Sequence, residues 1–248
     1  MKTCVINGTM RRGSTYHITK MILDKLDADL NNEVTEFFLP KDMPGFCAGC
    51  YQCIFNGEHL CPHVNSVEKI YQAMVEADLI IITSPVYVFD VSGQLKALFD
   101  HFAYQWMSHR PNPTMFKKIG LSVVTAAGAG MKSTSKTIQT NMTWWGMMRT
   151  FSFNQAVMAA SYGEIPAKVM VKIEKKTTVL ARKLSRSLKK RVGLQPSLKT
   201  KFLFNVMKMA KKGHPEWNAL DHKFWQNSGY FLSRKPWRDT LESGSERG

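Results

Sequence analysis

Leu79-Ile80-Ile81-Ile82-Thr83-Ser84-Pro85-Val86-Tyr87-Val88-Phe89-Asp90-Val91-Ser92-Gly93-Gln94-Leu95-Lys96-Ala97-Leu98-Phe99-Asp100-His101 changes character in its middle. Residues 79–82 are an unbroken apolar run with three consecutive isoleucines. Such a run reads as a strand buried on both faces, as in a parallel sheet. Ser84-Pro85 is read as the end of that strand. From Ser92 the apolar residues Leu95, Leu98, Phe99 and Phe102 recur at helical spacing. Strand, short loop and helix in that order put the loop at the carboxyl end of a central strand, where open α/β sheets bind their ligands. Pro85 stiffens the loop, and Tyr87 and Phe89 place aromatic rings in it. Two readings stand level: a shelf for a flat apolar ligand, or a connection whose rings tuck into the core.

The 248 residues are enough for one α/β domain plus an extension. No apolar run approaches the roughly 20 residues needed to span a bilayer. The chain opens directly on Met1-Lys2-Thr3-Cys4-Val5-Ile6, a strand pattern rather than a leader, and the expectation is a cytoplasmic protein. Five cysteines in a reducing compartment then argue for metal or redox chemistry rather than disulfides. The net charge of +15 is concentrated late in the chain. Residues 168–248 hold 20 Lys and Arg against 6 Asp and Glu, whereas residues 1–167 are close to neutral. That division predicts a first domain over 1–167 and a basic helical and aromatic extension over 168–248.

Taken in order, residues 2–6 read as a first strand and Asn7-Gly8-Thr9-Met10-Arg11-Arg12-Gly13-Ser14-Thr15 as a loop into a helix. Backbone N–H groups, the helix N-terminus, hydroxyls and an arginine together suit an anion, a phosphate monoester being the simplest. Neither a Walker loop nor the dinucleotide fingerprint is present. A strand at 34–39 leads to a cysteine-rich insertion over 46–62, where Cys47, Cys50, Cys53 and Cys61 fall at C-x2-C-x2-C-x7-C. The spacing is closer to iron–sulfur than to paired zinc knuckles, and free thiols lining a redox pocket or a dimer contact are the alternative. His59 and His63 flank the fourth cysteine and are read as solvent-facing, with ligation as the second option. Asn65 is placed as a helix cap, and His109 and Arg110, on a long proline-broken loop, as free surface positions, with reach into the site as the second option. A buried strand at 119–125 runs into Ala126-Ala127-Gly128-Ala129-Gly130, small residues that let a ligand approach the backbone. A helix over 131–148 and a strand over 151–160 complete an α/β fold, a doubly wound five-stranded parallel sheet. A phosphate loop, an aromatic shelf and a bare backbone wall side by side suit flavin mononucleotide (FMN).

At these residues the chain resembles the flavodoxin-like NADPH-dependent FMN reductases, in particular their iron–sulfur flavoprotein branch, over about its first two-thirds. The resemblance implies that Thr9, Arg11, Ser14 and Thr15 hold the FMN phosphate, that Pro85, Val86, Tyr87 and Val88 border the ring, and that Thr125 to Gly128 form the third loop. It implies a possible [4Fe-4S] cluster on Cys47, Cys50, Cys53 and Cys61. The chain departs from the pattern at Met10, where proline is usual, at Ala126 and Ala127, where glycines are usual, and at Asn65-Ser66, where acidic residues are usual.

The function expected on these grounds is an FMN-dependent NAD(P)H oxidoreductase: hydride passes from a nicotinamide nucleotide to FMN, and electrons go on to a small molecule or an electron-transfer protein. No side-chain base is required, because the cofactor carries the chemistry. Backbone N–H groups of residues 85–88 are expected to steady negative charge on the reduced ring. The alternative is an electron carrier between FMN, a cluster and a ferredoxin-like partner, steered by the basic tail. The apolar faces at 168–191 and 198–210 are expected to pack on the domain or on a second subunit in a homo-oligomer, ahead of a membrane surface. Nucleic acid ranks lower still, since no recognised motif orders the basic and aromatic residues.

Overall fold

β3 (Leu79–Pro85) lies at the centre of a parallel sheet whose order is β2-β1-β3-β4-β5. The other strands are β1 (Lys2–Asn7), β2 (Glu33–Phe38), β4 (Ile119–Ala126) and β5 (Arg149–Ala156). The crossovers that parallel pairing demands run through α1 (Ser14–Leu30), α3 (Val64–Glu76), α4 (Gly93–His101) and α5 (Met131–Trp144). A one-turn α2 (Gln52–Phe55) sits in the cysteine segment. Beyond the sheet come α6 (Ala167–Lys189), α7 (Leu198–Gly213) and α8 (Ala219–Asn227). The computed structural model describes residues 1–238.

The isoleucine run explains the layering. Ile80 and Ile82 face Ile70 and Met74 of α3, Leu95 and Leu98 of α4, and Ile138 of α5. Leu79 and Ile81 face the other way, onto Ile18, Ile22 and Leu26 of α1 and Leu180, Leu184 and Leu188 of α6. Each such side chain contributes about 1.5–3 kcal/mol by leaving water, so a period-two run apolar on both faces is stable only between two helical layers. The expected helix over 168–191 is therefore part of this layering: its apolar stripe covers the sheet beside α1, and Lys172, Arg182 and Arg186 face solvent.

β3 runs past the expected stop. Ser84 and Pro85 still pair with Val124 and Thr125. Proline cannot donate, but the next ladder bond comes from the Val86 N–H to the Thr125 carbonyl at 2.9 Å, so the strand tolerates Pro85. β5 instead ends short of residue 160, because Met158 turns left-handed at φ 54°. Asn65 lies inside α3, and His63 occupies the cap position.

The terminal aromatics build a third cluster outside the sheet layers. Phe204 of α7 stacks on Trp225 of α8 with centroids 5.0 Å apart, and Met107, Phe116 and Tyr230 close around them. Trp217 stays exposed and stacks on His214 at 4.0 Å.

Candidate functional site

The carboxyl ends of β1, β3, β4 and β5 open into a cleft of about 260 Å³. Thr9 and Arg11 line it from the β1–α1 loop, Ser14 and Thr15 from the first turn of α1, Pro85 from the end of β3, Val86 and Tyr87 from the β3–α4 loop, and Thr125 from the end of β4. Val88 and Gly128 lie outside this lining: Val88 projects into solvent, and Gly128 is exposed. Ala126 and Ala127 form part of the wall, and Val157, Ala159 and Ala160 join from beyond β5. The last three were not read from the sequence. Their only signal is the small-residue run after the fifth strand, which its expected extension to 160 obscured.

Hydrogen bonds bind the three loops into one frame. Gly8 donates its N–H to the Thr83 carbonyl at 2.9 Å, so close that an added Cβ would lie 2.7 Å from that oxygen. Ser92, the cap of α4, donates its hydroxyl to the Gly8 carbonyl and accepts from the Leu95 N–H at 3.4 Å. The Thr15 and Thr125 hydroxyls meet at 2.6 Å beneath the cleft. Arg11 reaches across it to donate to the Ala160 carbonyl at 2.7 Å. Arg12 instead stacks over Tyr16 and Phe38 at 5.5 and 5.4 Å, which leaves Arg11 as the cleft's guanidinium. An arginine, three hydroxyls and the N-terminus of α1 suit a dianionic phosphate. The alanines and Tyr87 offer an apolar wall for a planar ring. The cleft's residues thus fit FMN.

Within the aromatic loop, Val88 and Phe89 occupy left-handed backbone at φ 49° and 63°. Tyr87 and Asp90 close them into a tight turn by reciprocal backbone bonds of 2.9 and 3.0 Å. A β-branched residue in this region is strained, and such strain gathers at ligand sites. The turn also narrows an expectation. Pro85 has no N–H, while the Val86 and Tyr87 amides are already committed to Thr125 and Asp90. Within residues 85–88 that leaves the Val88 amide as the one outside these bonds. Met10, Tyr87, Val88, Phe89 and Met158 leave an exposed apolar rim around the mouth.

The cysteine segment makes a second, smaller pocket of about 20 Å³, lined by Cys47, Cys50, Cys53, Cys61, His63 and His101 among others. All four thiols are free. Burial and the neighbouring thiols of Cys61, Cys47 and Cys50 push the Cys53 thiol up to about 11. The donor set suits iron–sulfur chemistry, and the pocket as it stands has room for about one water-sized occupant. His63 is not solvent-facing: its Nδ1 lies 2.9 Å from His101 Nε2. His101 was missed because it reads as one more position on the α4 face.

Arg110 is likewise not a free surface residue. It is buried and donates to the Asp221 carboxylate at 2.6 Å, to the Ile54 carbonyl at 3.1 Å, and to the Cys53 carbonyl. Asp221, fully buried on α8, also accepts from His109 Nδ1 and Lys211 Nζ, both at 2.8 Å. Asn218 adds a bond to the Ile54 carbonyl at 2.9 Å. The C-terminal helices are thereby fastened to the turn that carries Cys53. Arg110 lies 111 positions from Asp221, which hid the pair from sequence reading.

The family model of the NADPH-dependent FMN reductases matches residues 1–163. An iron–sulfur flavoprotein of Archaeoglobus fulgidus is 25% identical over 234 residues, spanning 93% of this chain and all of that one. An NADPH azoreductase of a Bacillus species is 28% identical over 131 residues, 52% of this chain and 62% of that one. Among solved structures, an FMN-dependent NADH-azoreductase from Bacillus anthracis in complex with FMN superposes with a TM-score of 0.56 at 14% identity, covering 75% of this chain and all of the other. That likeness is one of fold. No helix among the described residues is long and apolar enough to cross a membrane.

Proposed function

The chain belongs to the NADPH-dependent FMN reductase family, and from that premise we propose that FMN is held in the cleft at the carboxyl ends of β1, β3, β4 and β5 and passes reducing equivalents from a nicotinamide nucleotide to a second acceptor. One observation carries the assignment: Thr9, Arg11, Ser14, Thr15, Pro85, Val86, Tyr87 and Thr125, drawn from three loops, line a single cavity. Arg11 and the first-turn amides of α1 would neutralise the phosphate, and the hydroxyls of Thr9, Ser14 and Thr15 would orient it. Ala126, Ala127 and Tyr87 would exclude water from one face of the ring and leave the other to the incoming nicotinamide. The bound flavin would supply the two-electron chemistry. The exposed rim of Met10, Tyr87, Val88, Phe89 and Met158 supports closure of the mouth by a second copy of the chain. Bleaching of the flavin bands on adding NADH or NADPH tests the reading; no bleaching with either overturns it, and the faster of the two names the donor.

The four thiols around one pocket support a second reading, in which Cys47, Cys50, Cys53 and Cys61 carry an iron–sulfur cluster and the acceptor is an electron-transfer protein. Iron and acid-labile sulfide in anaerobically purified protein test it. Flavin bands with no iron would end it.

A further inference from the structure

The cysteine pocket contains a ligand set that the four-cysteine spacing does not describe. Cys61, His63 and His101 each offer one ligand atom, and the three atoms lie within 4.8 Å of one another, the one such group found among the described residues. We propose that Cys61, His63 and His101 bind a single divalent transition ion of the zinc class.

Three observations support this. The donors sit at the ends of structured elements rather than on the exposed loop. Cys61 follows a short helical turn at Glu58–Leu60, His63 caps α3, and His101 ends α4. Cys47 and Cys50, by contrast, lie in exposed irregular backbone. The geometry is preset. His101 Nδ1 lies 2.7 Å from the Ala97 carbonyl, to which it can only donate, so Nε2 is the acceptor; it now takes the His63 Nδ1–H at 2.9 Å, a proton that an ion would displace. Histidines that bind metals are oriented in this way by a carbonyl on the far nitrogen. The His63 backbone N–H bonds to the Cys61 sulfur, and the His63 ring lies so close over Gly45 that a Cβ there would meet it at 2.5 Å. The pocket is also confined: about 20 Å³ is room for about one water-sized occupant between these donors. With zinc bonds of about 2.0–2.1 Å to nitrogen and 2.3 Å to sulfur, two ligating nitrogens lie about 3.3 Å apart, so the His63 and His101 nitrogens, now 2.9 Å apart, would separate slightly while the Cys61 sulfur draws in. A thiolate and two imidazoles select zinc-like ions over magnesium or calcium.

The fourth position would fall to Cys53, which lines the same pocket, or to water. An ion there would tie the cysteine segment to α4, whose other end, at Ser92, supports Gly8 of the cleft. The site is independent of the flavin assignment and competes with a four-cysteine cluster for Cys61.

The test is an anaerobic titration of chelator-stripped, thiol-reduced full-length protein with Co²⁺, then competition with Zn²⁺. One Co²⁺ per chain with tetrahedral d–d bands and a thiolate charge-transfer band is expected, with melting temperature rising on Zn²⁺ addition. His63→Ala and His101→Ala should each weaken Co²⁺ by at least 10-fold, while Cys47→Ser and Cys50→Ser stay within about twofold, the scale expected for lost ligands and for bystanders. His63 is only half-buried, so its variant decides the matter where His101→Ala fails to fold. Absence of Co²⁺ binding, or loss on Cys47→Ser and Cys50→Ser with the histidine variants unaffected, would overturn the proposal.

Discussion

Asp221→Asn removes one charge from the hub that fastens α8 to the cysteine segment. The carboxylate is fully buried and accepts from Arg110 at 2.6 Å and from His109 and Lys211 at 2.8 Å. Taking away the anion removes the buried partner of Lys211 and leaves Arg110 with the half-exposed Glu58 carboxylate at 3.3 Å. Breaking a buried pair from one side costs about 3–5 kcal/mol. Asparagine keeps the volume and can still accept a bond, so the lower end, about 3 kcal/mol, applies. A domain with about 5–15 kcal/mol of stability survives that loss. Urea denaturation at neutral pH measures it, with Arg110→Met and the double variant closing a cycle. The local consequence is separable. Arg110 holds the Cys53 and Ile54 carbonyls, so the Cys53 thiol should alkylate faster in the variant. The pH dependence has a definite sign. Burial pushes the Asp221 carboxyl up, but bonds from His109 and Lys211 outweigh it and hold the group below the ordinary carboxylate range. Its contribution is therefore complete above about pH 4 and disappears as pH falls through the depressed folded value. The gap between native and variant should be flat at neutral pH and narrow in acid. A loss below about 1 kcal/mol with unchanged alkylation would mean the pair behaves like a surface salt bridge, and would refute the reasoning.

Arg11→Ala should weaken FMN binding about 10- to 100-fold, the scale of one charge-assisted hydrogen bond, with activity restored by excess FMN; flavin fluorescence quenching gives the dissociation constant, and an unchanged value removes Arg11 from the site. Replacing Val88-Phe89 by Asn-Gly relieves two left-handed residues, and Asn-Gly is the pair such turns favour. It should stabilise the fold by about 1–3 kcal/mol in a thermal melt; no gain would show that the turn is unstrained. In metal-free protein the Cys53 thiol, raised to about 11 by burial and its neighbouring thiols, should alkylate slowly at pH 8 and accelerate as pH approaches that value. Mass-spectrometric rates at each cysteine would contradict this if Cys53 were the fastest.

What the chain determines by itself is what depends on near neighbours. The isoleucine run at 79–82 dictates a doubly covered strand, because both its faces are apolar, and the hydroxyl and arginine residues between β1 and α1 mark an anion loop, because the donors lie within one turn of each other. The basic helix at 168–191 was legible as an amphipathic stripe, but a stripe says only that a face is covered. Its packing beside α1 on the back of the sheet was decided by tertiary structure, through the neighbouring positions left open in that layer. Arg110 looked like a free charge because Asp221, its fully buried ionic partner, lies on an element near the other end of the chain. His101 carried no local sign at all, since its chemistry comes from meeting His63 and Cys61 across a pocket built by three separate elements. Residue type and spacing therefore settle strands, turns and anion loops, where the partners are close in sequence. Buried charges and metal-ligand sets, whose energies depend on which distant group shares the same dry volume, are set by the fold.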